Sequence, residues 1–174
     1  MMENTFNGRL LLLTNPQGKL IDDIDTDQIF HNQYLHITEI SEMGEYALGN
    51  LEGWSDFPRM VNAGDVVVGG ANFGSGSSRQ HAVDCFRALG VRLIIAESFG
   101  AIYKRNAINS GMPIIAFPEA GNLVAGGEWK HLQSVTMDLE SGKLTDGDSG
   151  REFVLPSLSR VQRDIMAEGS LLKL

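Results

Sequence analysis

Three short apolar runs occupy the middle of the chain: Asp65-Val66-Val67-Val68-Gly69, Val91 to Ala96 and Met112 to Phe117. Runs so continuously apolar suit strands buried on both faces, the condition that a parallel sheet imposes. The segments between them read as helices. Ala82, Cys85, Phe86 and Leu89 fall on one helical stripe that Gly90 ends, and Phe99 to Ile108 reads as a second helix closing at Gly111. Strand, helix, strand, helix, strand implies a parallel sheet joined by right-handed crossovers.

The flanks read differently. Gly8 to Thr14 is a predicted strand through Leu10-Leu11-Leu12-Leu13, followed by a turn at Asn15-Pro16-Gln17-Gly18 and an acidic loop from Asp22 to Asp27. A short helix is predicted from about Ser41, ahead of the break at Gly53-Trp54. Beyond Phe117, Val135 to Leu139, Lys143-Leu144 and Glu152 to Leu155 read as antiparallel strands, with turns at Ser141-Gly142 and Asp146-Gly147. A last helix runs from about Ser159 to Ala167 and stops at Gly169. The fold class is α/β: a parallel sheet core with antiparallel β additions, β-rich at both ends of the chain. With 174 residues, 43% of them hydrophobic, the chain has enough apolar material for one core and is short for two, so residues 1–174 are read as a single domain.

Charge and cysteine usage exclude several classes. A net charge of −8 with no Lys/Arg stripe argues against nucleic acid. The longest apolar runs fall far short of the roughly 20 residues that cross a bilayer. Met1-Met2-Glu3-Asn4 offers neither a basic nor an apolar leader region, and a lone Cys85 cannot form an internal disulfide, so a cytoplasmic location is expected. One cysteine also cannot build an iron–sulphur cluster, nor do His and carboxylates cluster at zinc spacing, so no metal or cofactor is expected on this chain alone.

The strand at Asp65 leads into Gly70-Ala71-Asn72-Phe73-Gly74-Ser75-Gly76, and Ser77 stands where the next helix is predicted to begin. Free N–H groups and the positive end of a helix dipole meet at such a point and favour an anion. Ser77, Ser78 and Arg79 add two hydroxyls and a guanidinium, the group best shaped to grip a carboxylate or phosphate through two bonds. Known phosphate and nucleophile motifs do not fit the letters. A Walker loop needs a lysine where Ser77 stands, a dinucleotide loop needs a glycine at Arg79, and no serine here has the paired glycines of a nucleophile elbow. On residue type alone Ser77 is also a plain helix cap, Arg79 a surface charge, His81 a structural hydrogen-bonding residue and Cys85 core.

A longer pattern runs through these residues. Gly70-Ala71-Asn72-Phe73-Gly74-Ser75-Gly76-Ser77-Ser78-Arg79-Gln80-His81-Ala82 resembles the signature loop of the swivelling domain of the aconitase superfamily. Asp25-Thr26-Asp27 followed by Tyr34-Leu35 resembles that family's N-terminal element, and Ser98-Phe99 with Asn106 a later one. Order and spacing are similar to those of free-standing small subunits of isopropylmalate and homoaconitate dehydratases, from about Asp22 to Phe117. The resemblance implies the swivelling β/β/α fold of aconitase type. It implies a hydro-lyase that interconverts 2-isopropylmalate and 3-isopropylmalate by dehydration and rehydration, a step of leucine biosynthesis. It also implies a partner, a large subunit bearing a 4Fe-4S cluster, in a heterodimer or heterotetramer outside which this chain is inactive. On this reading Ser77 transfers the proton, Ser78 and Arg79 grip the substrate carboxylate, and Asp27 is an active-site aspartate.

Tyr34-Leu35-His36-Ile37 occupies the loop where, by the same resemblance, substrate choice is set. Aconitases and homoaconitases carry an arginine there for a third carboxylate. Here the residue is His36, near neutral pH a weak and conditional cation. The expected substrate is a small dicarboxylate whose apolar group packs near Leu35 or Ile37, with Tyr34 and His36 completing the binding loop. Tricarboxylates such as homoaconitate, the methylated malates (2,3-dimethylmalate and methylmalate), and a non-enzymatic domain that binds a small anion stay open.

Overall fold

The computed structural model of the chain describes residues 4–169; Met1 to Glu3, part of the N-terminal stretch used above, lie outside them. Seven strands form one sheet: β1 (Thr5–Leu12), β2 (Val66–Gly69), β3 (Leu93–Ala96), β4 (Ile114–Ala116), β5 (Ser134–Asp138), β6 (Lys143–Asp146) and β7 (Glu152–Val154). Their order is β4-β3-β2-β1-β5-β6-β7. β1 to β4 are mutually parallel, and β5 to β7 continue the sheet antiparallel. The parallel core with antiparallel additions is as read from the sequence.

β1 belongs to both halves. Thr5 to Arg9 pair antiparallel with β5, and Leu10 to Leu12 pair parallel with β2. The strand therefore begins earlier than the expected Gly8. Its leucines alternate sides: Leu11 and Leu13 enter one core with Val67, Ile94 and Ile114, while Leu10 and Leu12 enter a second with Val66, Val68, Leu93, Ile95 and Ile115. A strand side chain points to alternate faces, so runs apolar at every position mean a sheet covered on both. Each such side chain, fully buried, contributes about 1.5–3 kcal/mol.

Among the described residues there are six α-helices: α1 (Thr26–Ile29), α2 (Phe57–Met60), α3 (His81–Ala88), α4 (Ala101–Asn109), α5 (Ala120–Ala125) and α6 (Arg160–Glu168). α3 and α4 cover the first core through Ala82, Val83, Phe86, Tyr103 and Ala107. The second lies under α5, Trp129 and the inner face of β5 to β7. No described helix is long and apolar enough to cross a membrane.

Two expectations are corrected. The helix expected from Ser41 is a pair of 3-10 turns, Ile40–Glu42 and Gly44–Tyr46. A Cβ on Gly44 would stand 2.9 Å from the Leu89 side chain, so the backbone lies too close to α3 for a regular cylinder with side chains all round. α3 begins at His81 rather than Ser77, because the loop before it is pinned by single backbone bridges, Phe73 to Phe99 and Ser75 to Asp25. The last helix agrees with expectation: Ser159 and Gln162 form a capping box and Gly169, at φ 88°, ends it.

Candidate active site

All four parallel strands deliver the chain to the same edge of the sheet, and three of the loops that leave there knit together. Ser75 bridges to Asp25, and Phe73 to Phe99. Gly74 N–H donates to the Ile24 carbonyl at 2.7 Å, Thr26 N–H to Ser75 at 2.9 Å, and Phe73 N–H to Ser98 at 3.0 Å. The fully buried Phe73 ring packs edge-on to Phe99 and Tyr103 and anchors the loop. Gly74 at φ +80° has no room for a side chain: a Cβ there would lie 2.2 Å from Tyr103 Cγ. Asn72, at φ 57°, donates its carboxamide to Asp23.

The consecutive residues Asp25, Thr26 and Asp27 do three different jobs. Asp25 caps α1 in a capping box with Gln28. Thr26, buried, donates its hydroxyl to the Ser77 carbonyl at 2.9 Å and so fixes the backbone under Ser77. Asp27 accepts from Arg79 Nη1 at 3.0 Å. The same nitrogen donates to the Phe30 carbonyl at 2.6 Å. Arg79 is thereby held with 11% of its side chain exposed, and its Nε and Nη2 make no hydrogen bond among the described residues. Asp27, 41% exposed, has its carboxyl pKa lowered first by the Arg79 hydrogen bond. Its contact with Arg79 places Asp27 beside the serines of the loop.

Ser77 and Ser78 are exposed, and the N–H groups of Ser77, Ser78 and Arg79 make no hydrogen bond among the described residues. Asn106 on α4 donates to Ser78 Oγ at 3.1 Å, which leaves the Ser78 proton to point outward. Asn50 donates to Asp27 Oδ2 at 3.1 Å. Nothing around Asn50 in the sequence marks it, whereas Asn106 stood in a matching segment without a role. Two hydroxyls, free N–H groups and a tethered guanidinium on one open surface can bind a carboxylate and handle a proton.

The four residues of the expected specificity loop lie beside this surface. Tyr34 is half-buried and stacked on Tyr46, ring centroids 4.0 Å apart. Leu35 (39% exposed) and His36 face solvent. Ile37 is turned into the core at 9% exposure, so of the two apolar side chains only Leu35 is presented outward. A 4Fe-4S cluster is held by several cysteine thiolates, and the sequence has one cysteine, Cys85. Cys85 is buried on α3, and burial pushes its thiol pKa up, away from the thiolate that ligates iron.

The fold and this surface define a class, an α/β domain whose loops present two hydroxyls, free N–H groups and a guanidinium on one open face. The Aconitase C-terminal domain family matches residues 59–120. The 3-isopropylmalate dehydratase small subunit of Aquifex aeolicus is 35% identical over 98% of this chain and 94% of its own. The 2,3-dimethylmalate dehydratase small subunit of Eubacterium barkeri is 37% identical over 86% and 88%. A crystal structure of 3-isopropylmalate dehydratase from Methanocaldococcus jannaschii superposes with a TM-score of 0.78 at 32% identity, covering 97% of this chain and 92% of that one. The chain belongs to the dehydratase small subunits of the aconitase family and is a subunit of a hydro-lyase. As a small subunit it works with a larger partner chain.

Proposed function

We propose that the chain supplies half the active site of a 3-isopropylmalate dehydratase, interconverting 2- and 3-isopropylmalate in leucine biosynthesis together with a large subunit that bears a 4Fe-4S cluster. The observation that carries the reading is the surface of Ser77, Ser78 and Arg79: fixed from behind by Thr26, Asn106 and Asp27, yet open in front. A rigid set of donors with no wall of its own suits completion by a second chain.

When bound on the partner, the cluster supplies a Lewis acid for the leaving hydroxide. This chain's residues do the rest. Ser77 Oγ moves the proton from the carbon beside the carboxylate. An alcohol is a poor base, so its oxyanion form needs the free N–H groups of Ser77 to Arg79, the Arg79 charge and exclusion of water by the partner. Ser78 Oγ–H and the untied nitrogens of Arg79 grip the carboxylate, on which charge builds as the proton leaves. Asp27 holds Arg79 in place. Leu35 packs against the isopropyl group, and His36, in place of an arginine, leaves a third carboxylate without a strong partner.

A second reading, a 2,3-dimethylmalate dehydratase, has the Eubacterium barkeri relative in its favour, as similar as the others. The test is anaerobic co-expression with cluster-bearing large subunits, comparing 3-isopropylmalate, 2,3-dimethylmalate and homoaconitate. Turnover only by the pair, and fastest on 3-isopropylmalate, is expected. Preference for dimethylmalate installs the second reading; no turnover with any large subunit overturns both.

A further inference from the structure

The segment from Phe30 to Ile37 is tied at both ends to the stretch Arg79 to His81 that leads into α3. At one end the Phe30 carbonyl accepts from Arg79; at the other the Ile37 carbonyl accepts from His81 Nε2 at 2.8 Å. Since a carbonyl only accepts, Nε2 carries the proton. The His81 ring also lies against Phe30, centroids 5.1 Å apart and planes tilted by 32°, on a side chain that is itself fully buried. Between the ties the chain makes a single 3-10 turn, Asn32–Tyr34. Its first half has outside support, from Asp27 to the Asn32 N–H and from Tyr46 to the Tyr34 ring. Among the described residues Leu35 and His36 make no hydrogen bond outside the loop: the Leu35 and Ile37 N–H groups bond only to Asn32 and Tyr34.

We propose that His81 is a positioning residue for substrate choice. It fixes Leu35 and His36 relative to Ser77, Ser78 and Arg79, so the acid that is accepted is set from the residue next to the stretch that carries the carboxylate grip. The proposal rests on the reading of this surface as half an active site. A single residue, Gln80, stands between Arg79, which holds the beginning of the loop, and His81, which opens α3 and holds the loop's end, so the two ties lie a short, fixed stretch of backbone apart. Loss of the His81 bond lets Leu35 drift. An apolar contact that drifts is lost more by a bulky isopropyl group than by a methyl group, while Ser77 keeps its own support from Thr26.

The test uses His81→Ala and His81→Gln, the second retaining an N–H donor of similar reach, each first shown to fold by circular dichroism. In the chain alone, amide exchange at Leu35 and Ile37 is expected to accelerate roughly ten-fold in His81→Ala, as for loss of one partly buried hydrogen bond, and to be largely restored in His81→Gln. In the assembled enzyme, kcat/KM for 3-isopropylmalate relative to 2,3-dimethylmalate is expected to fall roughly ten-fold in His81→Ala, on the scale that a methylene or two commands in an apolar pocket. A merely structural role lowers both substrates alike. Unchanged exchange, or an unchanged ratio in a pair whose unsubstituted form turns over normally, overturns this proposal alone. A pair inactive on every substrate with the unsubstituted chain overturns the active-site reading as well.

Discussion

The two halves of the sheet use the same material for different ends. In the parallel half every strand must be followed by a crossover, so β1, β2 and β3 release loops at one edge, and residues far apart in sequence, such as Asp27, Arg79 and Asn106, meet there. In the antiparallel half, β5, β6 and β7 join through tight turns at Ser141-Gly142 and Asp146 to Gly150, which return the chain to its neighbour and gather nothing. What that half contributes is cover: Met137, Leu144 and Phe153 close the core over Leu10, Leu12, Val66 and Val68. Parallel pairing creates a place for chemistry and leaves a naked face; antiparallel hairpins cover the face cheaply in chain length.

Substitutions on the two halves should therefore separate activity from stability. The largest effect is expected for Ser77→Ala in the assembled enzyme, a fall in kcat of roughly a hundred- to ten-thousand-fold, the range for loss of a positioned acid–base group. Because Ser77 is exposed, the urea midpoint should barely move. Retained turnover would remove Ser77 from proton transfer and leave the surface a binding site only. Met137→Ala is the mirror image. Met137 is fully buried between Phe6 and Leu144, so truncation should cost about 2–5 kcal/mol in urea unfolding while kcat/KM per folded chain stays unchanged. Lost activity in folded Met137→Ala would show that the halves are not separable.

How much of this was legible in the sequence follows the same division. β2, β3 and β4 were readable because burial on both faces leaves runs with no polar residue, and α6 because its capping box and terminal glycine are local signals. The start of β1 was missed because Thr5 to Arg9 owe their extended form to β5, more than a hundred residues away. α5 was not foreseen, for its one and a half turns carry little periodicity. At the site, residue types pointed to an anion, but the start of α3 was misplaced by four residues. Serines and glycines that suit a helix start suit a turning loop as well, and the loop is pinned by the bridge from Ser75 to Asp25. The capture of Arg79 by Asp27 and Phe30 had no local signal either, since it joins segments some fifty residues apart.

The smallest effect is expected at the seam between the halves. Where β1 leaves β5 for β2, His131 Nδ1 accepts from the Leu12 N–H at 3.1 Å, and the ring meets Trp54 edge-on. Burial first, and the charge of Arg9 second, lower the His131 pKa below its ordinary 6.5. As the pH falls through 6.5 the unfolded chain takes up a proton that the folded chain refuses. Stability contributed by the neutral ring is therefore whole above that value and is lost progressively as the pH drops toward the folded-state pKa. Protonation at Nδ1 also removes the acceptor that Leu12 uses. His131→Asn places a non-titrating acceptor at similar reach, so its urea midpoint should fall less between pH 7.5 and pH 5.5, taken as roughly a unit either side of the histidine range, than that of the unsubstituted chain. The difference should be small because the residue is partly open to solvent. Identical falls in the two proteins would mean that the seam is held by the paired backbone of Leu10 with Leu132 and Gln133 alone, and that the halves meet without help from this ring.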